Sequence, residues 1–186
     1  MYKVSVEITG TSDMLHSRMP TETEAIKRLD ELGKILKKDV NNEKAYTEAA
    51  EYCLYKNSNK EICIPSMHIE AAMVKAGARE RVEGEGKKSY KDYMNAFIIV
   101  EPKLIPIEPQ KYELFRTFVK TYGGRVMSTR PKFPQGWKAN FTIAILDDTI
   151  PVKVVESILK YAGAYVGIGN WRPKFGRFEV TKFGKQ

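Results

Sequence analysis

The chain has 186 residues, of which 42% are hydrophobic and 29% are charged. This composition excludes a disordered chain and a fibrous repeat. No apolar run approaches the ~20 residues of a membrane-spanning helix, and the first ten residues lack the apolar core of a secretory signal. Two cysteines, Cys53 and Cys63, could form one disulfide at most. We therefore expect a single domain over residues 1–186, located in the cytoplasm, without contact with a membrane.

The basic charge is concentrated in the last third of the chain. Residues 121–186 contain 11 basic and 4 acidic side chains, a net charge of +7 out of the total of +8. Residues 1–120 contain 20 basic and 19 acidic side chains and are almost neutral. A basic field confined to one region attracts polyanions, which favours a nucleic-acid partner.

The first half of the chain predicts one strand followed by helices. Apolar residues alternate with polar ones over Val4–Ile8, as in a half-buried strand. Thr21 and Glu24 have the spacing of a capping box at the start of a long helix. Asn42 is expected to cap a second, short helix, and two short strands are expected around a turn at 57–59.

The middle of the chain predicts a helix and several strands. Ser66 is the expected N-cap of a second clear helix. Residues 79–92 are polar and glycine-containing, which indicates a mobile, thumb-like loop or a thin hairpin. Residues 98–108 are expected to form two short strands whose prolines suit sheet edges. Two further strands are expected over 124–130 and 138–146.

The last part of the chain completes the predicted fold. Pro151 suits the first turn of a third helix and Gly163 its C-cap. A glycine-rich loop then leads to a final strand that contains Phe178 and Val180. The order of elements predicts an α+β, ferredoxin-like (RRM-like) βαββαβ domain with decorated loops. The stretch 11–63 is a long helical and hairpin insertion after the first strand.

One tetrapeptide occurs twice. Arg130–Phe133 and Arg172–Phe175 both have the sequence Arg-Pro-Lys-Phe, and each lies near a tryptophan, Trp137 or Trp171. Arginine and lysine neutralise phosphates, and aromatic rings stack on bases. The first copy is expected in a turn-rich insert at 131–136, and the second in the glycine-rich loop. A ferredoxin-like sheet can also present one face to a single strand.

The glycines of the loop at 167–176 allow backbone N–H groups to approach a phosphate closely. Their spacing does not fit a Rossmann or P-loop pattern, so no nucleotide cofactor is expected. The residues expected to bind nucleic acid are Arg130, Lys132, Phe133, Trp137, Gly167, Gly169, Asn170, Trp171, Arg172, Lys174, Ser66, His68, Lys87 and Lys88.

Three stretches resemble the RAMP superfamily, the ferredoxin-fold RNA-binding proteins of CRISPR systems. They are the opening strand and turn (Val4–His16), the Pro-x-Ser-like entry into a helix (Ile64–Ala78), and the glycine-rich loop before the last strand (Ala162–Val180). The resemblance implies an RRM-like fold that binds single-stranded guide RNA in several copies, as the non-catalytic backbone subunits do. DNA remains an alternative to RNA, because charge and stacking serve both.

Catalysis is the competing interpretation. Nuclease members of the superfamily use a histidine as general base, and His16 lies in a suitable loop, with Asp13 a weaker candidate. Asp147–Asp148 directly precedes a helix, where acids suit the helix dipole. His68 and the cysteines lack the spacing of a zinc site, so no metal is expected. The alternatives to a non-catalytic binder are therefore an endoribonuclease that uses His16 and a protein-interaction subunit or inhibitor.

Overall fold

A computed structural model describes residues 1–122 and 124–186. In these residues the strands are β1 (Tyr2–Gly10), β2 (Met14–Leu15), β3 (Cys63–Pro65), β4 (Ile98–Glu101), β5 (Leu104–Glu108), β6 (Glu113–Thr121), β7 (Gly124–Phe133), β8 (Lys138–Ile145) and β9 (Phe178–Lys185). The helices are α1 (Thr23–Lys38), α2 (Glu43–Glu51), α3 (Ser66–Gly77), α4 (Lys91–Phe97) and α5 (Val152–Tyr161), and a π-helical turn, Ala162–Val166, continues α5.

The main sheet has the predicted ferredoxin-like arrangement. Strand β8 pairs with β1 on one side and β4 on the other, β9 lies beyond β1, and all these pairs are antiparallel. With α3 and α5 between the strands, this is the βαββαβ order, so the predicted fold class is confirmed. Strand β5 pairs with the beginning of β8, on the same side of β8 as β4. Strand β3 pairs with the other side of β5. The predicted edge position is correct for β4 and wrong for β5, which pairs on both sides.

Alternation along β1 decides which face of the sheet is buried. Val4, Val6 and Ile8 are at most 4% exposed and pack beneath the helices, where Ile69 of α3 and Leu159 of α5 are fully buried. The hydrophobic core therefore lies between this face and the two helices. The residues of β1 that alternate with these three point to the other side of the sheet, which we call its open face.

A second sheet, in the order β2–β7–β6, lies outside the ferredoxin-like unit. Strands β6 and β7 form a long hairpin inserted between β5 and β8, with nine residue pairs in register from Glu113↔Lys132 to Thr121↔Gly124. Strand β6 was not predicted from the sequence. Strand β7 continues through Phe133, so the turn-rich insert expected at 131–136 is wrong for its first three residues. Pro131 is accommodated within β7, where its carbonyl accepts a hydrogen bond from His16 N (3.0 Å).

Two of the three predicted N-caps are wrong. Helix α1 begins at Thr23 after Glu22, whose side chain caps nothing, so Thr21 and Glu24 form no capping box. Helix α3 already includes Ser66, whose N–H donates to the carbonyl of Lys103 (2.9 Å). The Asn42 cap of α2 is confirmed, since its Oδ1 accepts from Ala45 N at 3.0 Å.

The predicted C-cap of α5 is also wrong. Gly163 lies inside the π-helical turn, where a Cβ would be 2.2 Å from the carbonyl oxygen of Phe178. A glycine is therefore needed there because β9 packs directly against the turn. Gly167, with φ +70°, ends the helical segment instead.

Residues 79–90 fold back on themselves. Val82 N donates to the carbonyl of Lys88, and Tyr90 N donates to the carbonyl of Glu80, both at 3.0 Å. Tyr90 is buried against the core. Of the two predicted forms, a loop or a thin hairpin, the backbone has that of a hairpin. The predicted mobility of this segment stays a prediction.

Candidate nucleic-acid interface

The glycine-rich loop is held against the short strand β2. Asn170 N donates to the carbonyl of Leu15 (2.9 Å), and Gly176 N donates to the carbonyl of Asp13 (2.8 Å). A Cβ on Gly169 would be 2.7 Å from the carbonyl oxygen of Leu15, so this close approach requires glycine. The loop therefore has a defined position on the protein surface, next to the residues that follow β1.

Gly167 has a structural role that differs from the predicted one. It is buried, its φ is +70°, and its N–H donates to the carbonyl of Ala162 at 2.8 Å. The N–H group is therefore already used and cannot bind a phosphate in this conformation. Gly169 is half-buried and lies at the surface of the pocket described below.

Trp171 is the exposed aromatic residue of the loop. It is 37% exposed and has φ +55°, a backbone conformation that is costly for a bulky side chain. Its ring lies edge-on to Phe115, at 5.8 Å between centroids, and the Arg130 guanidinium is 6.0 Å from its centroid. Residues of β6 and β7, together with the ring of Phe175 at 6.2 Å between centroids, therefore cover part of the indole and leave the rest to solvent.

A cavity of about 140 Å³ opens beside the loop. We call it the polar pocket, and it is lined by Ser17, Tyr55, His68, Gly169 and Asn170. The rings of Tyr55 and His68 meet edge to face, with centroids 5.5 Å apart. Four separate parts of the chain supply these walls: the segment after β2, the segment after α2, the start of α3 and the glycine-rich loop.

Three arginines surround the polar pocket. Arg130 donates a hydrogen bond to Ser17 Oγ, and its Nε is buried without a partner among the described residues. Arg172 is exposed and forms no ion pair with any residue that the structure describes. Burial, with a smaller contribution from the positive charge of Arg172, lowers the pKa of His68. Arg18 forms an ion pair with Glu22. A concave, positively charged surface of this kind suits a phosphate-bearing ligand.

His16 is not positioned to act as a general base. It is 1% exposed and packs against the rings of Phe133 (4.5 Å) and Tyr55 (5.5 Å), and its Nδ1 has no hydrogen-bond partner among the described residues. Burial, with a smaller contribution from His68, lowers its pKa from 6.5 to about 3. A buried ring cannot contact a strand on the surface, so the alternative catalytic role of His16 is not supported.

Asp13 also has a structural role in this region. Its carboxylate Oδ1 accepts a hydrogen bond from Gln135 N at 2.9 Å, which holds the turn between β7 and β8.

Phe133 and Trp137 belong to the core and do not form stacking surfaces. Phe133 is 1% exposed, and Trp137 is fully buried, with its Nε1 donating to the carbonyl of Ser12 at 3.0 Å. Only the second tetrapeptide has an exposed tryptophan beside it. The two copies of Arg-Pro-Lys-Phe therefore differ because the first lies in a paired strand and the second in a loop.

Several predicted basic contacts are separated from this surface or already neutralised. Lys132 forms ion pairs with Glu113 (2.9 Å) and Asp13 (3.7 Å). Lys88, in the hairpin at 79–90, donates hydrogen bonds to Glu85 and to the Tyr93 hydroxyl of α4. Of the remaining predicted residues, Lys87 and Lys174 are exposed, and Ser66 is buried, with 8% of its surface accessible.

The open face of the main sheet does not provide a second candidate. Its residues on β1 and β8 are Lys3, Ser5, Glu7, Thr9, Lys138, Asn140, Thr142 and Ala144, as the strand register places them. Two of its lysines are paired, Lys3 with Glu101 (3.0 Å) and Lys182 with Glu7 (2.8 Å). No aromatic residue occupies these positions, so the expected use of the sheet face for stacking is not supported.

The β6–β7 hairpin, which we call the arm, presents residues that the sequence analysis missed. Phe118 is 65% exposed and lies opposite Met127, and Tyr122 is fully exposed. On the same face Lys120 lies directly opposite Arg125, and neither forms an ion pair with a residue that the structure describes. Like charges directly opposite each other cost stability in a hairpin. The only sequence signal was the run of apolar and basic residues at 114–120.

The described residues contain no cluster of His, Cys, Asp and Glu side chains that could hold a metal ion. In the same part of the chain, each helix is too short or too polar to cross a membrane.

Comparisons with known proteins support the fold. No protein-family model matches the sequence, and no similar sequence was found among the curated proteins. Among solved structures, a chain from the cryo-EM structure of the Type III-B Cmr-beta bound to cognate target RNA superposes on 99% of this protein, with a TM-score of 0.60 and 10% sequence identity. The protein spans 60% of that chain's length. The fold of this protein is therefore shared with that chain.

Proposed function

We propose that the protein is a non-catalytic subunit that binds single-stranded RNA along the surface formed by the glycine-rich loop, the polar pocket and the arm. The observation that carries the proposal is the exposed indole of Trp171, which directly follows Asn170 of the pocket wall, precedes exposed Arg172 and has the Arg130 guanidinium 6.0 Å from its centroid. An aromatic ring flanked by guanidinium groups stacks on bases while the cations neutralise phosphates, which is the chemistry of single-strand binding.

The shared fold agrees with this proposal. The solved chain comes from a complex bound to target RNA, and the sequence resembles the RAMP superfamily in its opening strand, its α3 entry and its glycine-rich loop. The finer assignment, a guide-RNA-binding backbone subunit, rests on that resemblance together with the local geometry. The burial of His16 favours binding without cleavage.

Assembly in several copies is part of the proposal, and the arm supports it. Its outer half carries Phe118, Lys120, Tyr122 and Arg125, which are all exposed. Apolar and unpaired basic side chains at the end of a hairpin suit a contact with a neighbouring copy and the RNA that it holds. We expect the arm of one copy to contact the next copy along the strand.

The direct test is fluorescence anisotropy with a labelled single-stranded RNA and the matching duplex over a range of salt concentrations. We expect preferential binding to the single strand, affinity that falls steeply with salt, and an RNA that is recovered intact. Arg172→Ala should weaken binding, whereas Lys153→Ala, which removes an exposed cation from α5, should not. Equal affinity for duplex and single strand, or loss of affinity in both variants alike, would contradict the proposal.

A further inference from the structure

The side chain of Asn170 makes no hydrogen bond with any residue that the structure describes. Its Oδ1 is shielded from water and lacks a partner among the described residues. A covered carboxamide oxygen without a partner destabilises the folded protein, because it has lost its hydrogen bonds to water. The backbone of Asn170 is nevertheless held firmly, because its N–H donates to the carbonyl of Leu15 at 2.9 Å. The loop therefore holds an unused donor and acceptor pair at the wall of the polar pocket.

The other walls of the pocket suit a flat, aromatic ligand. Tyr55 and His68 are half-buried, meet at 89° and form no side-chain hydrogen bond with the described residues. Two rings set edge to face leave a slot against which a third planar group can stack or pack edge-on. The cavity of about 140 Å³ is smaller than the pockets that hold drug-sized ligands. Its size therefore suits one ring system more than a whole nucleotide.

Phosphates have a better place outside the cavity. Arg172 is exposed at its rim, and Arg130 lies between Ser17 and the face of Trp171. A strand that stacks on Trp171 would keep its backbone near these cations, which leaves the cavity available for a neighbouring base turned inward. Turning a base out of its stack costs free energy, which contacts in the pocket would offset.

From this arrangement we infer that the polar pocket accepts a single adenine of the bound strand and that the carboxamide of Asn170, whose covered Oδ1 must turn into the cavity to make this contact, identifies it. A carboxamide offers one acceptor and one donor side by side, and adenine presents the complementary amino group and ring nitrogen along one edge. This inference rests on the proposed function and adds to it a base preference at one position of the strand.

The test compares two RNA oligomers of equal length, one of adenosine and one of purine ribonucleoside, which lacks only the exocyclic amino group. We expect the wild-type protein to bind the adenosine oligomer about fivefold more tightly, the value of roughly one hydrogen bond. Asn170→Leu should bind both oligomers equally, because it keeps the branched shape and the number of heavy atoms of the side chain and removes its polar atoms. Asn140→Leu, a matched change on the open face of the sheet, should keep the preference.

The outcomes separate this inference from the proposed function. Wild-type binding to both oligomers with equal affinity would overturn the adenine pocket and leave single-strand binding intact. A preference that persists in Asn170→Leu, with an unchanged melting temperature, would also overturn it, because stacking on Trp171 would then account for the difference. Absence of binding to either oligomer would instead contradict the proposed function itself.

Discussion

The indole of Trp137 occupies the space in which a side chain at position 10 would lie, since a Cβ on Gly10 would be 2.1 Å from Trp137 Nε1. The carbonyl of Trp137 also accepts the N–H of Gly10 at 2.7 Å. The end of β1 and the start of β8 therefore cover this ring completely, and no part of it can contact a ligand. The two tryptophans of the protein thus have different roles, because Trp171 lies on the outside of the glycine-rich loop.

The first prediction contrasts these tryptophans. Trp137→Phe should lower the free energy of unfolding by about 2–4 kcal/mol, through a cavity and the lost hydrogen bond to Ser12, and leave the RNA affinity of the folded protein unchanged. Trp171→Gly should weaken RNA binding by about 1–3 kcal/mol with little loss of stability, because glycine accepts φ +55° without strain. Urea unfolding and anisotropy on the same two variants test both statements. A loss of stability in Trp171→Gly similar to that in Trp137→Phe would indicate a core role for Trp171.

The second prediction separates two arginines of the interface. Arg172→Ala should reduce the salt dependence of RNA binding by about one counterion and leave the melting temperature unchanged, because this side chain is exposed. Arg130→Ala should reduce affinity and also lower the melting temperature, because Arg130 bonds Ser17 and packs near Trp171. Binding measured at several salt concentrations, together with thermal unfolding, checks both. Identical behaviour of the two variants would be the contrary result.

The third prediction concerns the arm. Replacing Phe118 and Tyr122 by serine should lower the number of copies that bind a long single strand and leave the affinity for a strand that holds one copy unchanged. The reason is that both side chains are exposed and support nothing in the core. Mass photometry of complexes on short and long RNA measures this, with Tyr165→Ser, another highly exposed aromatic position, as the control. Unchanged copy number on the long strand would exclude the arm from assembly.

The fourth prediction tests the rigidity of the glycine-rich loop. Gly176→Ala should destabilise the protein by several kcal/mol, on the order of 2–4, because its φ is +75° and a Cβ would be 1.7 Å from the carbonyl oxygen of Ile168. Gly33→Ala should be neutral or stabilise by up to about 1 kcal/mol, because Gly33 lies in α1 with nothing within 4 Å of its Cβ position. Urea midpoints compare the two. Equal midpoints would show that the loop is free to rearrange.

The fifth prediction is a dependence of stability on pH. Burial lowers the pKa of His16 to about 3 in the folded protein, so the unfolded chain binds a proton below pH ~6.5 that the folded chain does not. Stability should therefore fall as the pH decreases from ~6.5 towards 3, by up to about 1.4 kcal/mol per pH unit from this group. The lowered pKa of His68 acts in the same direction.

His16→Leu isolates the contribution of that residue. This variant should keep its stability at neutral pH, because the environment of His16 is aromatic and its Nδ1 is unpaired, and it should unfold less readily in acid than the wild-type protein. Urea midpoints measured at several pH values check this. An acid sensitivity equal to that of the wild-type protein would assign the effect to other groups.

The extent to which the interface could be predicted from sequence differs between its parts. The sequence predicted Asn170, Trp171 and Arg172 because a glycine-rich loop can be recognised from its composition. Tyr55 and Ser17 were missed because each lies in a segment whose sequence resembles an ordinary connection. Phe133 and Trp137 were assigned to the surface because the repeated tetrapeptide does not show whether its strand is paired and covered.

The amino-acid sequence alone determined the ferredoxin-like order of elements, since alternation in β1 and the helical spacing in α3 and α5 are local patterns that backbone geometry imposes. It also determined the basic character of the last third of the chain. The tertiary structure decided which aromatic rings remain exposed, that His16 is buried, and that four distant segments meet in one pocket. These depend on strand register and on the packing of the insertions, which bring together residues separated by more than 100 positions, as with Arg130 and Ser17. No local pattern encodes such contacts, because they form only when the sheets assemble.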